Sequence, residues 1–100
     1  MPTILMGVQI SPKVPNGNTF AIIDKAIQVI QQSGIKHQVC PLETVMEGEW
    51  QELVNIVEKA QQACFDAGAT DVMTTMRIHS RKDGDVTADE KMANYRQYQP

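Results

Sequence analysis

Hydrophobic and polar residues alternate over residues 3–11. Ile4, Met6, Val8 and Ile10 fall on one side, and Thr3, Leu5, Gly7, Gln9 and Ser11 on the other. A period of two is that of a strand with one strongly apolar face. Pro12 and the run Val14-Pro15-Asn16-Gly17 predict its end and a turn. The period then changes. Phe20, Ile23, Ile27 and Ile30 recur at helical spacing with Ala26 between them, while Asp24, Lys25, Gln28, Gln31 and Gln32 form a wet face. Asn18 or Thr19 can cap this helix at its start, and Ser33-Gly34 closes it.

Residues 35–40 and 42–48 read as two further strands on either side of Pro41, and so short a link predicts an antiparallel hairpin. Val39 and Val45 are expected to face the helices. From Glu49 to Ala67 the pattern is helical again, with Trp50, Leu53, Val57, Ala60 and Cys64 in one stripe widened by Ile56 and Ala63. Trp50 heads that stripe and is expected in the core. A fourth strand follows at 71–79, with Val72, Thr74, Met76 and Ile78 on one face and Met73, Thr75, Arg77 and His79 on the other. The polar tail over 80–100 contains Thr87-Ala88-Asp89-Glu90, a capping-box pattern that predicts a short helix over 88–96.

Strand, helix, strand, strand, helix, strand is the α+β, ferredoxin-like βαββαβ order. It predicts one four-stranded antiparallel sheet with both helices on one face, in a single domain over residues 1–100. The other face is then expected to carry Leu5, Gln9, Ser11, Thr44, Met46, Met73, Thr75, Arg77 and His79. That mixture is too apolar for a bare surface and too polar for a dry core. It predicts self-association through the open face, with pockets between subunits.

Composition narrows the function classes. With 9 Lys and Arg against 12 Asp and Glu, the net charge is −3. A general binder of nucleic acid or anionic membrane would be basic. No apolar run approaches the roughly 20 residues of a membrane span, and Met1-Pro2-Thr3 does not begin a signal peptide. The expected location is the cytoplasm. Cys40 and Cys64 fall in no zinc-type spacing and read as reduced thiols.

Candidate chemistry is sparse. His37 and Cys40 lie three apart on a strand, hence on opposite faces, so they do not form a nucleophile–base pair. Glu49 suits the first turn of the second helix, and Glu43 an exposed hairpin position. Glu47 stands at a strand end among Val45, Met46 and Trp50. A carboxylate there needs a partner, either backbone amides at the start of the second helix or a ligand. Arg77, His79, Arg81 and Lys82 form a basic cluster that suits a phosphate or pairs with Asp83 and Asp85. No catalytic residue and no metal ligand is assigned.

The run from Gly34 to Trp50, GIKHQVCPLETVMEGEW, resembles the signature of the small thiamine-binding protein family: a glycine-led strand, then Pro-Met-Gly-Thr, an apolar pair and Glu-Gly. Ser11 at the end of strand one and the later Arg81-Lys82-Asp83 extend the resemblance over about residues 3–92. Leu42 and Glu43 depart from it, standing where the family often has Met and Gly. So do Asp71, where Arg is common, and His79, where an acid is. The resemblance implies a ferredoxin-like fold, a homodimer or dimer-based homotetramer, and binding of thiamine or its hydroxymethylpyrimidine part without catalysis, as carrier or sensor. No cofactor beyond that ligand is implied. By position, Ser11, Thr44 and Glu47 lead the expected ligand set, with Gln9, Met46 and Arg77 completing it. A carboxylate and hydroxyls match an aminopyrimidine edge, and Met46 or Leu42 suits the ring face. The alternative is a small oligomeric enzyme or regulatory module on the same fold, resting on Glu47 or His79.

Overall fold

A computed structural model describes residues 2–15 and 17–95. Strand β1 (Ile4–Lys13) lies between β3 (Thr44–Gly48) and β4 (Asp71–His79), with β2 (Lys36–Val39) outside β3, giving the sheet order β2-β3-β1-β4. Every pairing is antiparallel. Helices α1 (Thr19–Gln32) and α2 (Trp50–Asp66) cover one face. This is the ferredoxin-like arrangement. A short α3 (Ala88–Met92) follows β4.

The local chemistry explains the element boundaries. Asn18 is the N-cap of α1, its side-chain oxygen accepting from the backbone N–H groups of Phe20 and Ala21 at 3.0 and 3.3 Å. After Ser33 the chain turns at Gly34, whose φ of +78° is open to glycine at little cost. Glu49 stands just before α2 as an N-cap without a side-chain bond, rather than inside its first turn; Glu52 is the acid of that turn. The expected capping box is present at α3, where Thr87 and Glu90 each bond the other's backbone N–H. Arg96 of the expected helix over 88–96, and Asn16 of the expected turn, lie outside the described residues.

Pro12 does not end β1, which runs on to Lys13. Beyond Val8, β1 has register partners on β4 alone. A proline, with no N–H to donate, is tolerable where one side of the strand is unpaired.

The core joins β1 to β3 and both to α2. Met6 lies opposite Met46 in the register, both are fully buried, and Ile4, Val8, Ile30, Leu53, Ile56 and Val57 pack around them. A second cluster, Ile22, Ala26, Ala60, Cys64 and Ala69, joins α1 to α2. This corrects three expectations. Met46 and Thr44 face the helices, not the open side, and Val45 and Glu47 take the open side instead. Residues paired across a ladder share a face, so Met46 opposite the buried Met6 decides the parity of β3. Trp50 is 50% exposed because it is the first residue of α2, beyond the end of the packed stripe. Phe20 is 78% exposed, and the buried line along α1 is Ile22, Ala26 and Ile30.

Leu53→Ala should therefore lower unfolding stability by about 2–5 kcal/mol, whereas Phe20→Ala should change it by less than about 0.5 kcal/mol. Urea denaturation of the two variants checks this. Equal losses would put Phe20 back in the core.

Candidate functional site

The two central strands differ in length, and a cleft follows. β3 begins at Thr44 opposite Val8, so β1 from Gln9 onward has no strand on that side. The turn carrying Cys40, Pro41, Leu42 and Glu43 passes there instead, closed by a bond from the Cys40 N–H to the Glu43 carbonyl at 3.0 Å. Between this turn, the bare stretch of β1 and α1 lies a cleft of about 430 Å³. It is of the size that holds small organic ligands.

Its walls come from all three elements. α1 contributes Thr19, Phe20, Ile23, Asp24 and Ile27; β1 contributes Gln9, Ile10, Ser11 and Pro12; Val39, Cys40, Leu42, Glu43 and Thr44 line the third side. Helix α1 carries more isoleucine than its core line uses. Ile23 and Ile27 are half-buried in the cleft wall, and Phe20 and Leu42, at 78% and 82% exposure, are apolar groups held out to solvent at its edge.

Of the six expected ligand residues, Gln9, Ser11 and Thr44 line this cleft; Thr44 is on the helix-facing side of the sheet, whereas Gln9 and Ser11, opposite Thr75 and Met73, are on its open side. Met46 does not; it is sealed in the core, and no ligand reaches it without unfolding that core. Arg77 lies on the open sheet face, where one guanidinium nitrogen approaches Glu43 Oε2 at 2.8 Å. Glu47 is 8% exposed and its partners are internal. It accepts a hydrogen bond from the backbone N–H of Ala88, at the start of α3 and not of α2, and lies 3.5 Å from Lys36 Nζ. Phe20, Ile23, Asp24 and Ile27 were assigned by periodicity to core and wet face. The signal available for them was an apolar set on α1 too broad for one stripe.

The tail is fastened to the sheet end by this carboxylate and its neighbours. Lys36 bridges Glu47 and Asp89, the latter at 3.0 Å, and its pKa is raised, first by the Asp89 hydrogen bond and then by the Glu47 charge. Arg81 pairs with Glu90 at 3.2 Å and donates to the Asp85 carbonyl, rather than pairing with the side chains of Asp83 and Asp85. The Glu90 carboxyl is held below its usual range by the Thr87 N–H it accepts and by Arg81. The fully buried Val86 donates its N–H to the Thr3 carbonyl at 3.0 Å.

The remaining candidates form no reactive set. His37 Nδ1 lies 2.9 Å from the Ile35 carbonyl, and the Cys40 thiol donates to the Gln38 carbonyl. Burial pushes the Cys64 thiol up. Among the described residues no group of three or more His, Cys, Asp or Glu is placed to hold a metal, and no helix is long and apolar enough to cross a membrane.

Comparison with known proteins bears on what this cleft is for. The family model described as thiamine-binding protein matches residues 6–96. A UPF0045 protein of Clostridium perfringens is 40% identical over 96 residues, covering 96% of this chain and all of that protein. YqgV of Bacillus subtilis, also a UPF0045 protein, is 30% identical over 87 residues, covering 85% of this chain and 84% of its own. Among solved structures, a DUF77 domain from Bacillus cereus superposes with a TM-score of 0.92 at 42% identity, over 95% of this chain and 91% of that one. A candidate thiamine biosynthesis/salvage protein of Thermotoga maritima superposes with a TM-score of 0.85 at 28% identity, over 95% of this chain and 100% of that one.

Two tests address the tail. Glu47→Ala leaves the Ala88 N–H without its acceptor, and should cost about 1–3 kcal/mol and speed amide exchange across 88–92. Unchanged exchange there would remove Glu47 as the fastening. Acid should act similarly. The folded Glu90 carboxyl titrates below its unfolded value near 4.5, so its cap is complete above that pH and is lost as pH falls through the lower folded value. Amide NMR signals of Ala88–Met92 should report fraying in that window, before the core signals move.

Proposed function

This chain belongs to the thiamine-binding protein family, and on that premise we propose that it binds thiamine or its hydroxymethylpyrimidine part in the cleft beside α1, as a carrier or sensor and without a chemical step. One observation carries the proposal: the cleft brings an apolar wall and an exposed phenyl ring together with hydroxyl and carboxylate groups. Thiamine has matching parts. Its flat aminopyrimidine offers a donor and a ring nitrogen side by side, and its thiazolium is a cation.

Thr19 and Thr44 supply hydroxyls that donate or accept as the pyrimidine edge requires. Asp24 supplies the carboxylate, Glu47 being engaged by the Ala88 N–H and Lys36. Phe20, at the edge, offers a π-face to the thiazolium. Ile23, Ile27 and Val39 bury the ring faces. Of its other groups, Glu43 pairs with Arg77 and the Cys40 thiol donates to a backbone carbonyl.

We also assign the end of the open sheet face around Met73, away from Leu5 and His79, to a second copy of the chain. Met73 is 70% exposed there, an apolar group of the kind that self-association covers. Light scattering should then give a mass that is a multiple of 11.1 kDa, and Met73→Glu should lower it toward one chain. A single-chain mass for the unaltered protein would refute the assignment.

Thiamine at about a hundred times its Kd should stabilise the fold by about 2.7 kcal/mol, raising Tm by more than about 10 °C for a domain of this size. Phe20→Ala and Thr44→Val should each remove most of that rise, while Glu47→Gln should leave it in place. No rise at saturating thiamine, or a rise abolished by Glu47→Gln alone, would move the ligand out of this cleft.

A further inference from the structure

The open face of the sheet has a gap in its side-chain cover at Gly7, in the middle of β1. A β-carbon there would collide with the carboxylate of Glu43. Glu43 thus reaches from the end of the 40–43 turn over β1 to Arg77 on β4, which it meets at 2.8 Å. Around this gap lies a concavity of about 330 Å³, distinct from the cleft beside α1, lined by Leu5, Gly7, Glu43, Arg77, His79 and Lys91.

Its lining combines one carboxylate with three nitrogen bases, Arg77 and His79 from β4 and Lys91 from α3. The nearby acids are engaged elsewhere: Glu47 with Lys36 and the Ala88 N–H, Asp89 with Lys36, and Glu90 with Arg81 and the Thr87 N–H. Glu43 is therefore the one anionic group set against Arg77, His79 and Lys91 in this lining.

We propose that the concavity is an anion subsite that takes a phosphate group, and that the Glu43 carboxylate is its internal plug. The carboxylate oxygen at 2.8 Å from the guanidinium marks where a phosphate oxygen binds. A guanidinium presents its N–H groups in a planar fork suited to two oxygens of one anion. Phosphate brings more acceptor oxygens and more negative charge than one carboxylate, so Lys91 and His79 add to its binding. The floor is the glycine, which leaves room for the tetrahedral group. Displacing Glu43 is cheap, because the pair it forms is exposed on the Arg77 side, where exposed pairs are weak. Its turn also already places Leu42 in solvent.

The test is a titration with inorganic phosphate and, separately, with phenyl phosphate, read by ³¹P NMR line shape on the full chain. Glu43→Gln keeps the side chain's size and removes the competing charge. It should tighten phosphate binding about five- to tenfold. Arg77→Met should abolish binding, alone and in the Glu43→Gln background. Preference for phenyl phosphate points to an esterified ligand carried over Leu5, and equal binding points to the free ion; both support the subsite. Phosphate binding that survives Arg77→Met, or that Glu43→Gln fails to tighten, overturns it. Thermal melts of both variants establish that they are folded. Thiamine is absent from this titration, so its outcome is separate from whether the cleft binds thiamine.

Discussion

The register that starts β3 opposite Val8, while β1 continues to Lys13, is the constraint on which the rest depends. It leaves five residues of a central strand with one neighbour. That bare side admits a proline at position 12, which an interior strand would reject. It also forces the β2–β3 connection to turn beside β1 instead of pairing with it. A cleft then exists where α1 does not close down on the gap, and Ile23 and Ile27 on the flank of α1 line it. The hydrophobic cost of leaving Phe20 and Leu42 in water is not recovered within the monomer. Such exposed apolar groups at the edge of a cleft are what a bound organic ring would cover.

Glu47 shows how far a residue's role can depend on a distant segment. Its position in β3 puts it on the open face, which taken alone suggests a ligand. The tail then returns from β4 and places the first free N–H of α3 on it, while Lys36 from the neighbouring strand balances its charge. A buried carboxylate with those two partners needs no third. The same arrangement explains how residues 80–95 hold to the sheet end despite having no apolar stripe of their own. The tail is attached by one buried carboxylate and one buried valine and braced by a capping box; Lys36 pairs with Glu47 and Asp89, and Arg81 with Glu90 and the Asp85 carbonyl.

Most of the fold was legible because its strands and helices keep their own periods. β4 and α2 end where alternation and the 3.6-residue repeat end, and the capping box marked α3. The parity of β3 was not legible. In Thr44-Val45-Met46-Glu47 both alternating sets hold one apolar and one polar residue, so local pattern has no preference, and only the contact of Met46 with Met6 decides. That one-residue ambiguity sent Met46 to the ligand set and Val45 to the core. The α1 error has a different cause. Apolar residues at 20, 22, 23, 26, 27, 29 and 30 span more than half the helix circumference, and nothing local says which part faces α2. Ser11 and Thr44 were placed in the site by resemblance, and their place along the cleft comes from strand lengths that alternation alone does not encode.

The turn at residues 40–43 has opposite consequences on its two sides. Its Glu43 lines both the cleft and the concavity around Gly7 on the open face. If the cleft takes a cation and the concavity an anion, as proposed, the two are coupled through this segment, which the Cys40–Glu43 backbone bond closes just before β3. The sign of that linkage follows from charge. A cation entering the cleft attracts Glu43 and weakens its hold on Arg77, which favours an anion on the other face. By thermodynamic reciprocity the anion then favours the cation to the same extent.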